Sequence, residues 1–331
     1  MSSVDFDQIF ERFSSIKVAV IGDVMLDTYW WGHVERISPE APVPVVALDK
    51  KEHRIGGAGN VALNLASLGA QVSIISVMGD DEDGILLKNL FEKQSIQTNW
   101  LLQVDTRITT NKSRIISRNQ QMMRLDAETT RELSEEEENA LLERTEQYIN
   151  SEKPHILIFE DYNKGVLTEN VINKVIALCK KHGVFTAVDP KRKNFFSYKS
   201  VDIFKPNLKE VKEGLNLLIE DVSLPVLENI HAQLQHQLEH SISFITLSEK
   251  GVFYQQEKDA AIIPSHLRKI ADVSGAGDTV IAVAALVYAA TQQIQLMAEV
   301  ANIAGGLVCE VVGTTAIDRE LLLKECKLLL N

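Results

Sequence analysis

Asp272-Val273-Ser274-Gly275-Ala276-Gly277-Asp278, running into the apolar stretch Thr279 to Ala290, sets a carboxylate beside a flexible glycine-rich turn at the start of a helix. Gly275, Ala276 and Gly277 allow backbone N–H groups to point inward together, and the helix behind them adds the positive end of its dipole. Such a cradle stabilises negative charge on a phosphoryl group in transit. Asp278 then stands where a base is needed, because a hydroxyl attacking a γ-phosphate must lose its proton and a carboxylate within reach can accept it. The same residues also describe an ordinary helix start in which Asp278 only meets the dipole.

Outward from this turn the chain alternates. Strand-like apolar runs at Val18–Ile21, Val72–Val77, Ile156–Phe159, Phe185–Val188, Ile203–Phe204 and Phe244–Leu247 are separated by amphipathic segments of helix length. This βαβ rhythm predicts an α/β fold whose mostly parallel sheet is covered by helices on both faces. Ser134 and Glu137 have capping-box spacing ahead of Ala140-Leu141-Leu142, so acidic Glu135–Glu138 reads as a solvated first turn. Two stretches break the rhythm: 28–50, with Pro39, Pro42 and Pro44, and 107–124, rich in Thr, Ile, Ser and basic residues. Both are expected to be extended and to form a small β lid over the carboxyl edge of the sheet, inserted in a single domain of 331 residues. Two edge hairpins without a catalytic role are the alternative.

Composition narrows the class of partner. A hydrophobic fraction of 45% and a charged fraction of 24% fit a soluble globular chain. Lys+Arg of 34 against Asp+Glu of 46 gives a formal charge of −12, which opposes general attraction to nucleic acid or an anionic membrane. Any anionic substrate therefore needs a locally basic pocket. Cys179, Cys309 and Cys326 are widely spaced and fit reduced thiols, and the N-terminus is polar and acidic, so a cytoplasmic protein is expected. His231, His236 and His240 have poor spacing for one metal and read as solvated.

A second glycine-rich stretch, Gly56-Gly57-Ala58-Gly59-Asn60-Val61-Ala62, leads into another helix. Asn60 there can donate to and accept from hydroxyls, which suits a sugar, or it can simply cap the helix. The spacing fails as a dinucleotide fingerprint, which disfavours a nicotinamide-dependent dehydrogenase. Asp27, past the first strand in Gly22-Asp23-Val24-Met25-Leu26-Asp27, is favoured over Asp23 as an acceptor of sugar hydroxyls. In Lys205-Pro206-Asn207-Leu208-Lys209-Glu210, Asn207 and Glu210 share a first helical turn and form either a capping box or a site facing Mg²⁺-bound phosphate. Thr246-Leu247-Ser248-Glu249-Lys250-Gly251 is a strand end and turn fit for a nucleotide contact or for a plain hairpin. Asp189-Pro190-Lys191 could set Lys191 near phosphate or form a surface turn.

Together these stretches, in this order from about Val18 to Ile317, resemble the ribokinase/PfkB family of ATP-dependent sugar kinases. The resemblance implies a ribokinase-like α/β/α sandwich with a β lid, and ATP, Mg²⁺ and in several members K⁺ as cofactors. It implies that Asp278 is the catalytic base, that Gly275, Ala276 and Gly277 form the anion hole, and that Asn207 and Glu210 order Mg²⁺ and its waters. By the same likeness Asp27, Gly57 and Asn60 hold the sugar, Thr246, Ser248 and Gly251 contact nucleotide, Asn302 lies on the adenine side, and Asp272 marks a possible monovalent-cation site.

Finer strings resemble the branch of that family acting on a heptose 7-phosphate: Ile37-Ser38-Pro39-Glu40-Ala41-Pro42-Val43-Pro44-Val45, Ser117-Arg118-Asn119-Gln120-Gln121, Arg124-Leu125-Asp126 and Asp161-Tyr162-Asn163-Lys164-Gly165. A dianionic sugar phosphate agrees with the basic lid residues Lys112, Arg114, Arg118 and Arg124, which could otherwise be a solubilising strand edge. Asp161 is a further candidate for the sugar, although Glu160 before it departs from the family pattern and leaves open which carboxylate, if either, meets the substrate. The resemblance also implies a homodimer joined through lids. Many relatives carry a fused nucleotidyltransferase with a His-x-Gly-His motif, which is absent here, so that activity is expected from a separate protein. A kinase for ribose, fructose or a nucleoside, and a catalytically silent sugar-binding regulator, are the competing readings.

Overall fold

The computed structural model describes residues 4–118, 120–218, 221–266 and 268–330. Its strands are β1 (Lys17–Gly22), β2 (Val24–Ile37), β3 (Pro44–Gly57), β4 (Gln71–Gly79), β5 (Leu101–Val104), β6 (Thr110–Ser117), β7 (Gln120–Ala127), β8 (Ile156–Glu160), β9 (Phe185–Asp189), β10 (Ile203–Phe204), β11 (Ile242–Thr246), β12 (Val252–Gln256) and β13 (Asp259–Ile263). Its helices are α1 (Phe6–Arg12), α2 (Ala58–Ser67), α3 (Glu82–Lys93), α4 (Glu135–Glu152), α5 (Glu169–His182), α6 (Leu208–Gly214), α7 (Leu224–Leu238), α8 (Ala276–Thr291), α9 (Ile294–Val308) and α10 (Arg319–Leu329).

Nine strands form one sheet in the order β13-β12-β11-β10-β9-β8-β1-β4-β5. From β5 to β11 every pairing is parallel, and the two edge strands β12 and β13 run antiparallel. The apolar runs are continuous because both faces are covered. Along β1, Val18 and Val20 join one core with residues of α1, α2, α8, α9 and α10, while Ala19 and Ile21 join the other with α4, α5 and α7. Helix α8 is apolar all round, with Val280 to Tyr288 buried, as expected of a helix enclosed on every side. Ser134 caps α4 through the predicted box with Glu137. The strand expected at Phe244–Leu247 lies slightly earlier in the chain, at Ile242–Thr246.

The two proline-rich and basic stretches leave this sheet altogether. They form a second sheet, β3-β2-β6-β7, in which β2 pairs antiparallel with β3 and parallel with β6. A parallel pairing between distant segments is not what two independent edge hairpins would make. The strands are longer than expected at their inner ends: a single residue, Asp23, separates β1 from β2, and β3 runs to Gly57, immediately before α2. The base of the lid is therefore stitched to the carboxyl edge of the main sheet. Among the described residues, no helix is long and apolar enough to cross a membrane.

Candidate active site

Parallel strands bring their carboxyl ends to one edge, and the two glycine-rich turns meet there. Gly275 is the N-cap of α8 at φ 78°, and a Cβ on it would come within 2.8 Å of Asn60 Nδ2. Gly57 precedes α2 at φ 59°, where a Cβ would strike the Asp23 carbonyl at 2.4 Å. Both left-handed positions are thus closed to side chains. Asp278, in the first turn of α8, is 5% exposed and accepts from Asn60 Nδ2 at 2.7 Å and from the Tyr162 hydroxyl at 2.8 Å. Burial raises its pKa to about 6 against the two donors, which lower it. A carboxylate so poised is ionised at neutral pH yet basic enough to take a proton. Asn60 does not cap α2, since Gly57 holds that position; its side chain is spent on Asp278.

Beneath the cradle lies a set of charges. A Cβ placed on Gly277 would lie 3.6 Å from Asp189 Oδ2 and 3.9 Å from Lys205 Nζ, so the first-turn amides of α8 face a buried ion pair. Lys205, 2% exposed, lies 2.8 Å from Asp189 Oδ2. Lys191 Nζ bridges Asp189 Oδ1 at 3.3 Å and Glu210 Oε1 at 3.1 Å. Burial opposes the charge on Asp189, but Lys191 and Lys205 hold its pKa below the ordinary value. Two ammonium groups against the carboxylates of Asp189 and Glu210 leave this cluster balanced beneath the amide cradle. Asn207 and Glu210 make the reciprocal capping box of α6, each backbone N–H donating to the other's side chain at 2.8 Å. The remaining lone pairs of these hard oxygen donors fit a magnesium ion held through water, with the box intact.

The nucleotide-side candidates form a continuous path from there. Asn207 bridges Thr246 at the end of β11. Ser248 is exposed at φ 58°, and Gly251, at φ 96°, packs so tightly on Ile263 and Pro264 that a Cβ would lie 2.0 Å from the Ile263 carbonyl. Asn302 of α9 donates to the Pro264 carbonyl at 2.9 Å. Asp272 serves the α8 turn: one oxygen accepts from the Ser274 N–H and hydroxyl, the other from the Gly313 N–H at 2.9 Å.

On the lid, Asp27 is 4% exposed and is paired with Arg114 Nη1 at 2.5 Å. Register places Lys112 and Arg54 opposite Asp27, and Arg124 opposite Arg114, so all five share one face. Arg54 and Arg114 flank the Tyr29 ring at 4.7 and 5.2 Å, and Arg54 also donates to the Thr314 carbonyl. Arg124 is exposed and is held by Asp126. Arg118 is not part of this group. It sits exposed at the lid tip, six residues beyond Lys112 along an extended strand, or roughly 20 Å away.

Two further expectations are corrected. His231 and His240 are not solvated: both are buried and hydrogen-bonded with the Ser243 hydroxyl. Asp161 does not face the cradle, because alternation past the end of β8 sends it the other way, where it accepts from the Asn163 N–H, Asn194 Nδ2 and the Tyr198 hydroxyl. Glu160 faces the site instead, within 4.8 Å of Asp189 and Asp278. Asp23 accepts three backbone N–H groups, from Tyr162, Lys164 and Val166, and so fixes the loop that presents Tyr162. Tyr162, Lys205 and Arg54 also reach this site without being marked in the sequence. Strand-end position was the available signal for Lys205, while Tyr162 and Arg54 are revealed only by tertiary contacts.

Solved structures share this architecture at low identity. Phosphofructokinase-2 from Escherichia coli in complex with potassium superposes with a TM-score of 0.79 at 18% identity, covering 96% of this chain and all of that one. Ribokinase from Arabidopsis thaliana, complexed with ribose and ATP, gives 0.71 at 18% identity over 93% of this chain and 98% of that one. The fold is that of the ribokinase-like three-layer α/β/α sandwiches with a β lid. The family model described as pfkB family carbohydrate kinase matches residues 15–320. The chain belongs to that family. Curated relatives include the bifunctional protein HldE of Desulfatibacillum aliphaticivorans, 39% identical over 93% of this chain and 62% of the relative, and that of Aliarcobacter butzleri, 40% identical over 91% and 63%. The chain spans less than two thirds of the length of these relatives.

Proposed function

We propose that this chain phosphorylates the anomeric hydroxyl of D-glycero-β-D-manno-heptose 7-phosphate with ATP, giving the 1,7-bisphosphate for ADP-heptose and lipopolysaccharide core assembly. The observation that carries this reading is the junction of Asp278 with two glycine turns on one side and a basic lid face on the other. Asp278 accepts the proton of the attacking hydroxyl, its orientation fixed by Asn60 and Tyr162. The Gly275–Gly277 amides and Lys205 stabilise the transferring phosphoryl, and Lys112 and Arg114 hold the distal phosphate. Magnesium, ordered through water by Asn207 and Glu210, would supply charge neutralisation of the nucleotide phosphates. The strings shared with heptose 7-phosphate kinases and the HldE relatives support the choice of sugar.

The lid closes over the site and joins two copies through its exposed apolar residues, among them Ile37, Leu48, Met123 and Leu125. Potassium beside Asp272 completes the proposal, together with a cytoplasmic location. ATP consumption measured in parallel on heptose 7-phosphate, ribose, fructose and fructose 6-phosphate tests the sugar. Preference for any of the other three sugars would overturn the heptose assignment.

A further inference from the structure

Glu160 closes β8 at the carboxyl edge, with Gly22 of β1 and Asp189 of β9 in register on either side. Its side chain is fully buried, and among the described residues neither carboxyl oxygen has a hydrogen-bond partner. One oxygen each of Glu160, Asp189 and Asp278 lie within 4.8 Å of one another. The cations are already committed, for Lys205 and Lys191 both lie on Asp189, and the donors Asn60 and Tyr162 both lie on Asp278. An ionised Glu160 would bear the whole cost of desolvation with two like charges beside it. A protonated Glu160 bears neither, and gains an O–H to donate.

We propose that Glu160 is held as an uncharged carboxylic acid whose O–H points between Asp189 and Asp278, so that the transfer site contains two negative carboxylates rather than three. Burial first, and then Asp189 and Asp278, push its pKa well above the usual carboxylate range, while Lys191 and Lys205 act in the opposite sense. Tyr162, from the loop after β8, and the buried Tyr198 are its further titratable neighbours. Glu160 is a positioning residue: it acts on the base by sparing it a third anion and by offering a donor to whatever oxygen enters the cluster.

The kinetic part of the test rests on the kinase reading, and the spectroscopic part does not. Infrared difference spectra of substrate-free protein at neutral pH, wild type against Glu160→Gln, are expected to show the carbonyl stretch of a buried protonated carboxyl in the wild type alone. Absence of that band in the wild type, or its persistence in Glu160→Gln, overturns the proposal. Should the variant fail to fold, carboxyl ¹³C titration of the wild type decides: one glutamate must stay protonated between about pH 5 and 8. In turnover, Glu160→Gln is expected to leave the acid limb of kcat/KM within about 0.3 pH unit of wild type, because one neutral group replaces another. A downward move of about one unit would mean that a negative charge had been removed. Binding of Mn²⁺ to the nucleotide-free protein that Glu160→Gln abolishes would likewise make Glu160 an anionic ligand and overturn the assignment. A substrate panel with no turnover defeats the kinase reading and leaves the infrared result standing.

Discussion

Asn60 Nδ2 lies 2.7 Å from Asp278 Oδ2, a contact that spans 218 positions of chain and joins the two glycine-rich turns into one site. Because Asn60 donates to the charged form of the base, it lowers a pKa that burial raises. Asn60→Ala is therefore expected to shift the acid limb of kcat/KM upward by about 0.5–1 pH unit and to slow turnover by roughly 10- to 100-fold. A variant that raised only the sugar KM, with an unmoved limb, would assign Asn60 to the substrate instead.

Asp278 itself gives the pH dependence its sign. Its pKa is raised from the ordinary 3.8 to about 6, and a base works only when ionised, so activity is expected above that value and is expected to be lost as pH falls through it. Asp278→Asn is expected to reduce kcat by about 10²- to 10⁴-fold while ATP affinity, measured by calorimetry, changes little. Near-normal turnover would remove it from the chemistry.

What the sequence made legible follows from locality. Helix starts, caps and strand runs depend on neighbouring residues, so the Asp278 turn, the Ser134 cap and five of the six apolar strand runs lie where the pattern put them. The lid segments were visible as extended, but their merger into one sheet depends on the parallel pairing of β2 with β6, which no local signal carries. Glu160 and Asp161 were indistinguishable as adjacent carboxylates at a strand end. Only the alternation of the strand, fixed by its register with β1 and β9, separates the one that enters the site from the one that braces Asn194 and Tyr198.

Gly277→Ala separates the cradle from the fold. A methyl at this position meets Asp189 and Lys205 at ordinary contact distances of 3.6 and 3.9 Å, and alanine favours a helix over glycine by about 1 kcal/mol. The variant should melt no lower than the wild type by differential scanning calorimetry. Its kcat should nonetheless fall by at least roughly tenfold if, as proposed, the transferring phosphoryl rests against the first-turn amides of α8. Full activity would move the anion hole elsewhere.

Arg114, paired with Asp27 and stacked near Tyr29, is the lid cation that the proposed function sets on the sugar phosphate. Arg114→Met is expected to raise the sugar-phosphate KM by roughly 10- to 100-fold while leaving the ATP KM within about a factor of two. Arg118→Ala, altered at the distant tip, should change neither. Equal effects of the two in initial-rate kinetics would mean that the tip folds back onto the substrate.

Asp161→Ala tests the assignment of this carboxylate as a brace. Asp161 is 1% exposed, and its removal strands the Tyr198 hydroxyl and one of the two Asn194 donor contacts in a buried setting, at a cost of about 2–4 kcal/mol. Thermal unfolding should move down by several degrees. The sugar KM at a temperature where the variant is fully folded should stay within about twofold of wild type, because no part of the side chain reaches the cradle. A large KM effect with unchanged melting would place Asp161 at the substrate after all, and would require the strand end to turn its alternate side chain toward Asp278.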